Sequence, residues 1–347
     1  MARINIYAIA REAGVSTATV SRVVSHQPGV KPETRQKVLA VVEKYNYRPN
    51  QIATGLLKQN LHTLCLVLPS VRNPFYAAMC TAAQRSAEER DYSVQLMTFR
   101  RQDAWTQETI DEIIGRRADG VILSGDVTPL EPGVAARMVA QLQRYMPVVV
   151  VNPVDENVQC PCLAANLAGS ARYAVRHLHT LGHTRIALVG GDPTILFDNS
   201  REHAFPLIME ELGLDARAYP FLRGETTADG ESIVMRLFSS YEKDARPTAL
   251  IAFNDLLALG ALKQLKRMGY AVPRDVALIG CDTQFFTPYL DPPLTTTDLH
   301  IESIVESAVQ MLVQAGGQRL QPFYQLYDST LIVRESCGAS LGTRALG

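Results

Sequence analysis

Residues 6–24 read IYAIAREAGVSTATVSRVV, and this stretch decides the architecture of the start of the chain. Ile6, Ile9, Ala10 and Ala13 recur at i, i+3, i+4 and i+7, the spacing of one apolar face over two helical turns. Gly14 is the residue type that ends a helix in the left-handed conformation. Ser16 is suited to cap a second helix, predicted over Thr17–Ser25, in which Val20, Val23 and Val24 turn inward. Thr17 with Ser21, and Ala18 with Arg22, pair at i, i+4 on another face, which is small, polar and basic. Pro32 suits the first position of a third helix, with Val38, Leu39, Val41, Val42 and Tyr45 as its core face. Three short helices with a tight glycine turn between the first two make a helix-turn-helix, whose second helix enters the DNA major groove.

The charge distribution agrees. The 347 residues carry a formal net charge of −1. Residues 1–60 hold nine Lys and Arg against three Glu, a net +6, which leaves −7 on the remainder. A basic head on an acidic body points to nucleic acid or to a membrane. The membrane reading fails, because no apolar run approaches the ~18–20 residues needed to span a bilayer. The N-terminal MARINIYAIAREAG has no apolar signal region. Six cysteines are sparse: Cys65, Cys80 and Cys281 lie in apolar contexts, and Cys160-Pro161-Cys162 lacks zinc spacing. A cytoplasmic chain with no metal, no cofactor and no membrane partner is expected.

The run from Ile6 to Val23, with Thr34-Arg35, Val38, Tyr47 and Pro49-Asn50 at the following positions, closely resembles the DNA-binding head of the lactose-repressor/galactose-repressor (LacI/GalR) family. The resemblance implies base reading by Thr17, Ala18 and Arg22, of which Arg22 is suited to a bidentate contact with guanine. It implies phosphate contacts by Asn5, Tyr7, Ser16, Thr19 and Ser21, which fix register on the duplex. It also implies a hinge helix over residues 50–60, joined to the head at Asn50. Within that hinge Leu56 would wedge into the minor groove beside Ala53. Gly55 makes such a helix marginal, suited to folding on DNA. The chain departs from the family at Ala8, where an acidic residue is usual, and at Lys31, where a serine cap is usual. Both departures are expected to cost helix capping.

After residue 60, apolar runs of strand length alternate with helical patterns. Strands are predicted at Leu64–Leu68, Ser93–Phe99, Gly120–Leu123, Val148–Val151, Ile186–Val189, Tyr219–Leu222, Ala249–Ala252 and Val276–Ile279. Helices are predicted at 74–90, 102–116, 132–145, 168–181, 200–213, 228–240 and 255–269. This rhythm gives an α/β domain with parallel sheets, and its length favours two lobes with a ligand at the carboxyl ends of the strands. A nucleotide-linked enzyme is disfavoured: the first strand is followed by Leu68-Pro69-Ser70-Val71, without a G-x-G-x-x-G, and no phosphate loop or G-x-S-x-G elbow occurs. No catalytic residue is assigned.

The body resembles the two-lobed, periplasmic-binding-protein-like effector domain of the same family. The matching segments are PSVRNPFY (69–76), LGHTRIA (181–187), Asn254-Asp255, VPRDVALIGCD (272–282) and PPLTT (292–296). Expected domains are a head over 1–49, a hinge over 50–60 and an effector and dimerisation domain over 61–347. Lobe 1 would take 61–164 and 296–328, and lobe 2 would take 165–295 and 329–340. The resemblance puts Asn73, Phe75 and Asn152 of lobe 1, and Arg201, Asn254, Asp255 and Asp282 of lobe 2, around a small molecule. Asp, Asn and Arg suit hydroxyl groups, and Phe75 or Trp105 suits the face of a sugar or base. Ala165 and Asp298 stand where the family usually has Asp and Gln, at the lobe interface.

The chain thus reads as a homodimeric repressor of double-stranded operator DNA, controlled by a sugar or sugar derivative. A nucleoside or purine is the second effector choice, and a solute-binding protein without DNA function is the alternative class.

Overall fold

The computed structural model describes residues 5–24, 28–45, 47, 61–99, 106–131, 133–192 and 197–341. The chain forms two compact units, residues 1–61 and 62–347.

In the first unit, α1 (Ile6–Ala13), α2 (Thr17–Val24) and α3 (Pro32–Lys44) close around Ile9, Ala10, Val20, Val23 and Val38. Gly14 has φ +66°, a left-handed conformation that a side chain would resist, and its N–H caps α1. Ser16 Oγ accepts the N–H of Thr19 at 3.2 Å, which starts α2. The Ala8 departure carries no capping cost, because Asn5 Oδ1 accepts the Ala8 N–H at 3.1 Å. Lys31 does begin α3 without a side-chain cap. Leu39, expected in the core, is 42% exposed, because α3 packs through the buried Val38 and the half-buried Val41 and Val42 instead.

The second unit is built on two sheets. The first contains β1 (Thr63–Leu68), β2 (Ser93–Thr98), β3 (Gly120–Ser124), β4 (Val148–Val151), β5 (Pro161–Ala165) and β10 (Phe323–Tyr327). Their order is β10-β5-β4-β3-β1-β2, and every pair is parallel. Successive side chains of β1 face opposite ways. Leu64, Leu66 and Leu68 pack with α4 (Pro74–Glu88) and α11 (Ile301–Ala315), while Cys65 and Val67 pack with α5 (Gln107–Gly115) and α6 (Val134–Leu142). The sheet is covered on both faces, as a parallel sheet requires.

The second sheet contains β6 (Ile186–Val189), β7 (Ala249–Ala252), β8 (Ala277–Cys281), β9 (Thr295–Asp298) and β11 (Thr330–Ile332), in the order β11-β9-β8-β7-β6. Only the pair β11–β9 is antiparallel. Helices α7 (Leu167–Thr180) and α8 (Arg201–Glu211) cover one face, α9 (Thr227–Ser240) and α10 (Asp255–Arg267) the other. The chain crosses between sheets after Ala165, after Asp298 and between Tyr327 and Thr330. Residues 296–298, expected in the first lobe, therefore belong to the second sheet. The first and third crossings are tied together, Asn166 Nδ2 donating to Asp328 Oδ1 at 3.0 Å and Ser329 Oγ to the Asn166 carbonyl at 2.8 Å, and Asn199 Nδ2 holds the Ala165 carbonyl at 2.8 Å.

The expected strand at Tyr219–Leu222 does not form. Pro220 has no N–H to donate to a ladder, and pairing in this region is a single bridge between Gly191 and Gly224. A cavity of about 390 Å³ lies against β6 here, lined by Leu188, Phe205, Pro206, Tyr219 and Phe221 among others. No helix among the described residues is long and apolar enough to cross a membrane.

Candidate functional site

The second helix of the head, α2, carries the expected base-reading residues on one side. Ala18 and Arg22 are exposed, Thr17 and Ser21 half-buried. Their partners across the helix, Val20 and Val23, are fully buried, so the core fixes which face is presented. Tyr7 is 69% exposed. Ser16 and Thr19 spend part of their bonding on each other, their hydroxyls 2.9 Å apart. Asn5 keeps its amide nitrogen while its oxygen caps α1. Asn50, Ala53 and Leu56 lie outside the described residues, as does Trp105. The head thus presents a face fixed by its core, with the Arg22 cation exposed on it.

In the second unit, Arg201 and Asp282 come together. Ser200 caps α8 by accepting the His203 N–H, which places Arg201 at the first position of the helix. Asp282 follows directly on β8, with φ +100°, a conformation a non-glycine residue holds only when its surroundings impose it. Both side chains are under a tenth exposed, with Arg201 Nη1 3.9 Å from Asp282 Oδ1. The guanidinium lies over the Phe253 ring, 4.2 Å from its centroid, a cation–π arrangement. Its Nη1 donates to Cys281 Sγ at 2.9 Å, and its Nε is buried without a partner. Burial pushes the Asp282 carboxyl up to about 7 against the opposing pull of Arg201.

The first sheet contributes Tyr76 from α4 and Asp126, just past β3. Tyr76 Oη donates to Asp126 Oδ2 at 2.9 Å. Asp126 lies close enough for its charge to help raise both Arg201 and Asp282. Burial, followed by the charge of Asp126, holds the Tyr76 phenol well above its ordinary range. Tyr76, Asp126, Arg201 and Asp282 therefore form one polar cluster at the carboxyl ends of strands from both sheets, where open α/β sheets hold ligands. Among the described residues no group of His, Cys, Asp and Glu has the makings of a metal site.

The other five expected ligand residues have framework positions. Phe75 is 7% exposed in the core between α4 and the first sheet. Asn254 caps α10 through Leu257 N–H at 2.8 Å and donates to the Glu225 carbonyl at 3.0 Å, which uses both ends of its amide. Asp255 is wholly buried, with Oδ1 held by Thr296 Oγ1 at 2.8 Å and Oδ2 by the Gln284 N–H at 2.7 Å. These three face other protein groups. Asn152 Oδ1 accepts the Ala165 N–H at 2.8 Å and ties β4 to β5. Asn73 Oδ1 accepts the Phe75 N–H at 3.0 Å as cap of α4, and it remains half-buried beside Tyr76. Sequence reasoning missed Tyr76, Asp126, Phe253 and Cys281. Asp126 and Phe253 each follow a strand's carboxyl end, and that position was the available signal.

A helix-turn-helix joined in one chain to a two-sheet α/β domain with a buried polar cluster defines a ligand-responsive DNA-binding regulator. Residues 5–50 match the model described as bacterial regulatory proteins, lacI family, and residues 175–337 match that of the periplasmic binding protein-like domain. Catabolite control protein A of Priestia megaterium is 31% identical over 315 residues, covering 90% of this chain and 92% of that protein. The HTH-type transcriptional repressor CytR of Escherichia coli (strain K12) is 28% identical over 332 residues, 95% of each chain. The lac repressor dimer bound to operator and the anti-inducer ONPF has the same fold, with a TM-score of 0.83 at 23% identity over 96% of this chain and 99% of that one. The chain belongs to the lacI family and is a DNA-binding transcriptional regulator.

Proposed function

We propose that the protein is a cytoplasmic repressor that binds a pseudo-palindromic operator as a homodimer and releases or tightens its grip when a sugar or sugar derivative enters the interlobe cluster. On DNA, Thr17, Ala18 and Arg22 read bases, Asn5, Tyr7, Ser16, Thr19 and Ser21 hold phosphates, and Asn50, Ala53 and Leu56 act in the hinge. In the cleft, Arg201 and Asp282 are the principal effector contacts, with Asn73 and Asn152 at the first lobe's side.

The observation that carries the effector reading is the buried Arg201, a guanidinium with five N–H donors whose Nη1 is given to a sulfur and whose Nε meets no partner among the described residues. Beside it stands a carboxyl that accepts or donates near neutral pH. Adjacent hydroxyls satisfy both at once, by accepting from Arg201 and donating to Asp282. A phosphate or carboxylate would pair with the arginine but meet Asp282 and Asp126. An effector can shift the DNA-binding equilibrium only by its differential affinity for the two states.

The test is a thermal-shift screen of the full chain against neutral sugars, sugar acids and nucleosides, followed by operator titration with each hit. Neutral sugars are expected to stabilise the protein and change operator affinity, and Arg201→Ala is expected to abolish both effects. An unchanged ligand titration in that variant would remove Arg201 from the site. Hits confined to nucleosides would replace the sugar.

A further inference from the structure

Cys281 ends β8 and is 2% exposed. Its sulfur accepts from Arg201 Nη1 at 2.9 Å and from Thr297 Oγ1 at 2.8 Å, its S–H reaches toward Ser170 Oγ at 4.0 Å, and a side-chain hydrogen bond to Asp282 pulls that carboxyl down against its burial. Burial pushes the thiol up to about 12, so it keeps its proton and both donates and accepts. The two hydroxyls stand at particular places in the chain. Thr297 is on β9, one residue before the chain leaves the second sheet. Ser170 is in the first turns of α7, just after the chain enters the region covering that sheet, and its Oγ also donates to the Leu167 carbonyl at 2.6 Å. One buried sulfur thus touches the cleft arginine and both of these crossings.

We propose that Cys281 is a positioning residue that couples Arg201 to the crossings at 166–170 and 297–301. Sulfur is a weak acceptor. An incoming oxygen acceptor outcompetes it for the guanidinium, and the same event frees the sulfur to rebalance its bonds to Thr297 and Ser170. A stronger native acceptor would hold Arg201 in place, and a purely apolar residue would leave the crossings uninformed of what Arg201 is doing. The regulatory meaning rests on Arg201 being an effector contact. The coupling itself is testable with no effector present.

The experiment is backbone amide hydrogen exchange on the full-length chain, comparing wild type with Cys281→Ser, Cys281→Ala and Arg201→Ala. Serine keeps the hydrogen bonding and alanine approximates the size without it. Cys281→Ala is expected to speed exchange about fivefold at residues 167–171 and 296–299, the worth of an ordinary neutral hydrogen bond. Cys281→Ser is expected to stay near wild type. Arg201→Ala is expected to loosen the same two segments, and to add nothing on the Cys281→Ala background. Equal effects of serine and alanine, or loosening spread evenly over the second sheet, would reduce Cys281 to packing and overturn the proposal. Absence of any change at the two segments would do the same. Should Cys281→Ala fail to fold, Arg201→Ala against Cys281→Ser decides it: the first must loosen both segments and the second neither. If instead the exchange pattern holds while Arg201→Ala leaves the sugar titration untouched, the effector reading fails and the coupling stands.

Discussion

Arg201 and Asp282 are neighbours without being a closed ion pair: 3.9 Å separates their nearest charged atoms in a setting under a tenth exposed, beyond the reach of a charge-assisted hydrogen bond. Burial therefore dominates the carboxyl, which sits at about 7. A group whose folded value is raised contributes stability that is fully present below its unfolded value, about 3.9, and lost as pH rises through the folded one. Stability of the second unit should fall between about pH 4 and 7, by on the order of 4 kcal/mol from this residue. Asp282→Asn should flatten that part of the profile and raise the urea midpoint more at pH 8 than at pH 5. Parallel profiles for variant and wild type would show that the carboxyl titrates normally.

Arg22 is exposed on α2 while its helix is locked by Val20 and Val23. Truncating it leaves the head intact and removes only what the guanidinium touches. Arg22→Ala is expected to lose ~1–3 kcal/mol on the specific operator while binding to random DNA weakens far less. Fluorescence anisotropy at fixed salt on both duplexes measures the difference, and an equal loss on both would make Arg22 a phosphate contact.

Helix α3 begins at Lys31 with no side-chain cap, and Lys31 is exposed. Lys31→Ser or Lys31→Asp should stabilise the head by about 1 kcal/mol through a bond to a free N–H of the first turn. The check is the melting of the head transition by circular dichroism. A gain from Asp with none from Ser would mean that charge at the helix start, rather than capping, is responsible.

How much of this was visible beforehand differs by element. The strands at Val148–Val151, Ile186–Val189 and Ala249–Ala252 stand where the apolar runs put them, because a strand buried on both faces has nothing but apolar residues to show. The sequence also carries the periodicity of helix α11, with Ile301, Ile304, Val305, Ala308, Val309 and Leu312 at helical spacing, although no helix was expected there. β10 is not: Phe323-Tyr324-Gln325-Leu326-Tyr327 lies at a sheet edge and is largely exposed, so neither alternation nor a buried run marks it. At the site, residue chemistry put both Arg201 and Asp282 among the expected ligand contacts, and the structure brings their side chains to 3.9 Å. It does not separate the two roles open to Asn254 and Asp255, because an Asn at a helix start and an Asp beside it look the same whether they meet a ligand or cap and brace the fold. The setting of Arg201 was beyond reach, since Cys281 comes to it from 80 residues away.

Asp255 offers a last prediction, about the frame behind the cluster. Its two oxygens link α10 to Thr296 on β9 and to the loop at Gln284. The space for it exists because residue 280 is glycine: a Cβ there would lie 2.2 Å from Asp255 Oδ1 and 2.8 Å from Leu294 Cδ2. Leu294 has a flexible end that can swing, but the carboxylate is held from both sides and has no room to retreat. Gly280→Ala must then break the bond to Thr296 or displace β8, leaving a buried polar group unsatisfied, at a cost of about 3 kcal/mol. Urea denaturation measures it. On an Asp255→Ala background the added methyl meets no carboxylate, and the same substitution should cost less than half as much. If Gly280→Ala is as damaging there as in the wild type, the clash is with the surrounding apolar wall, and Asp255 is not what the glycine makes room for.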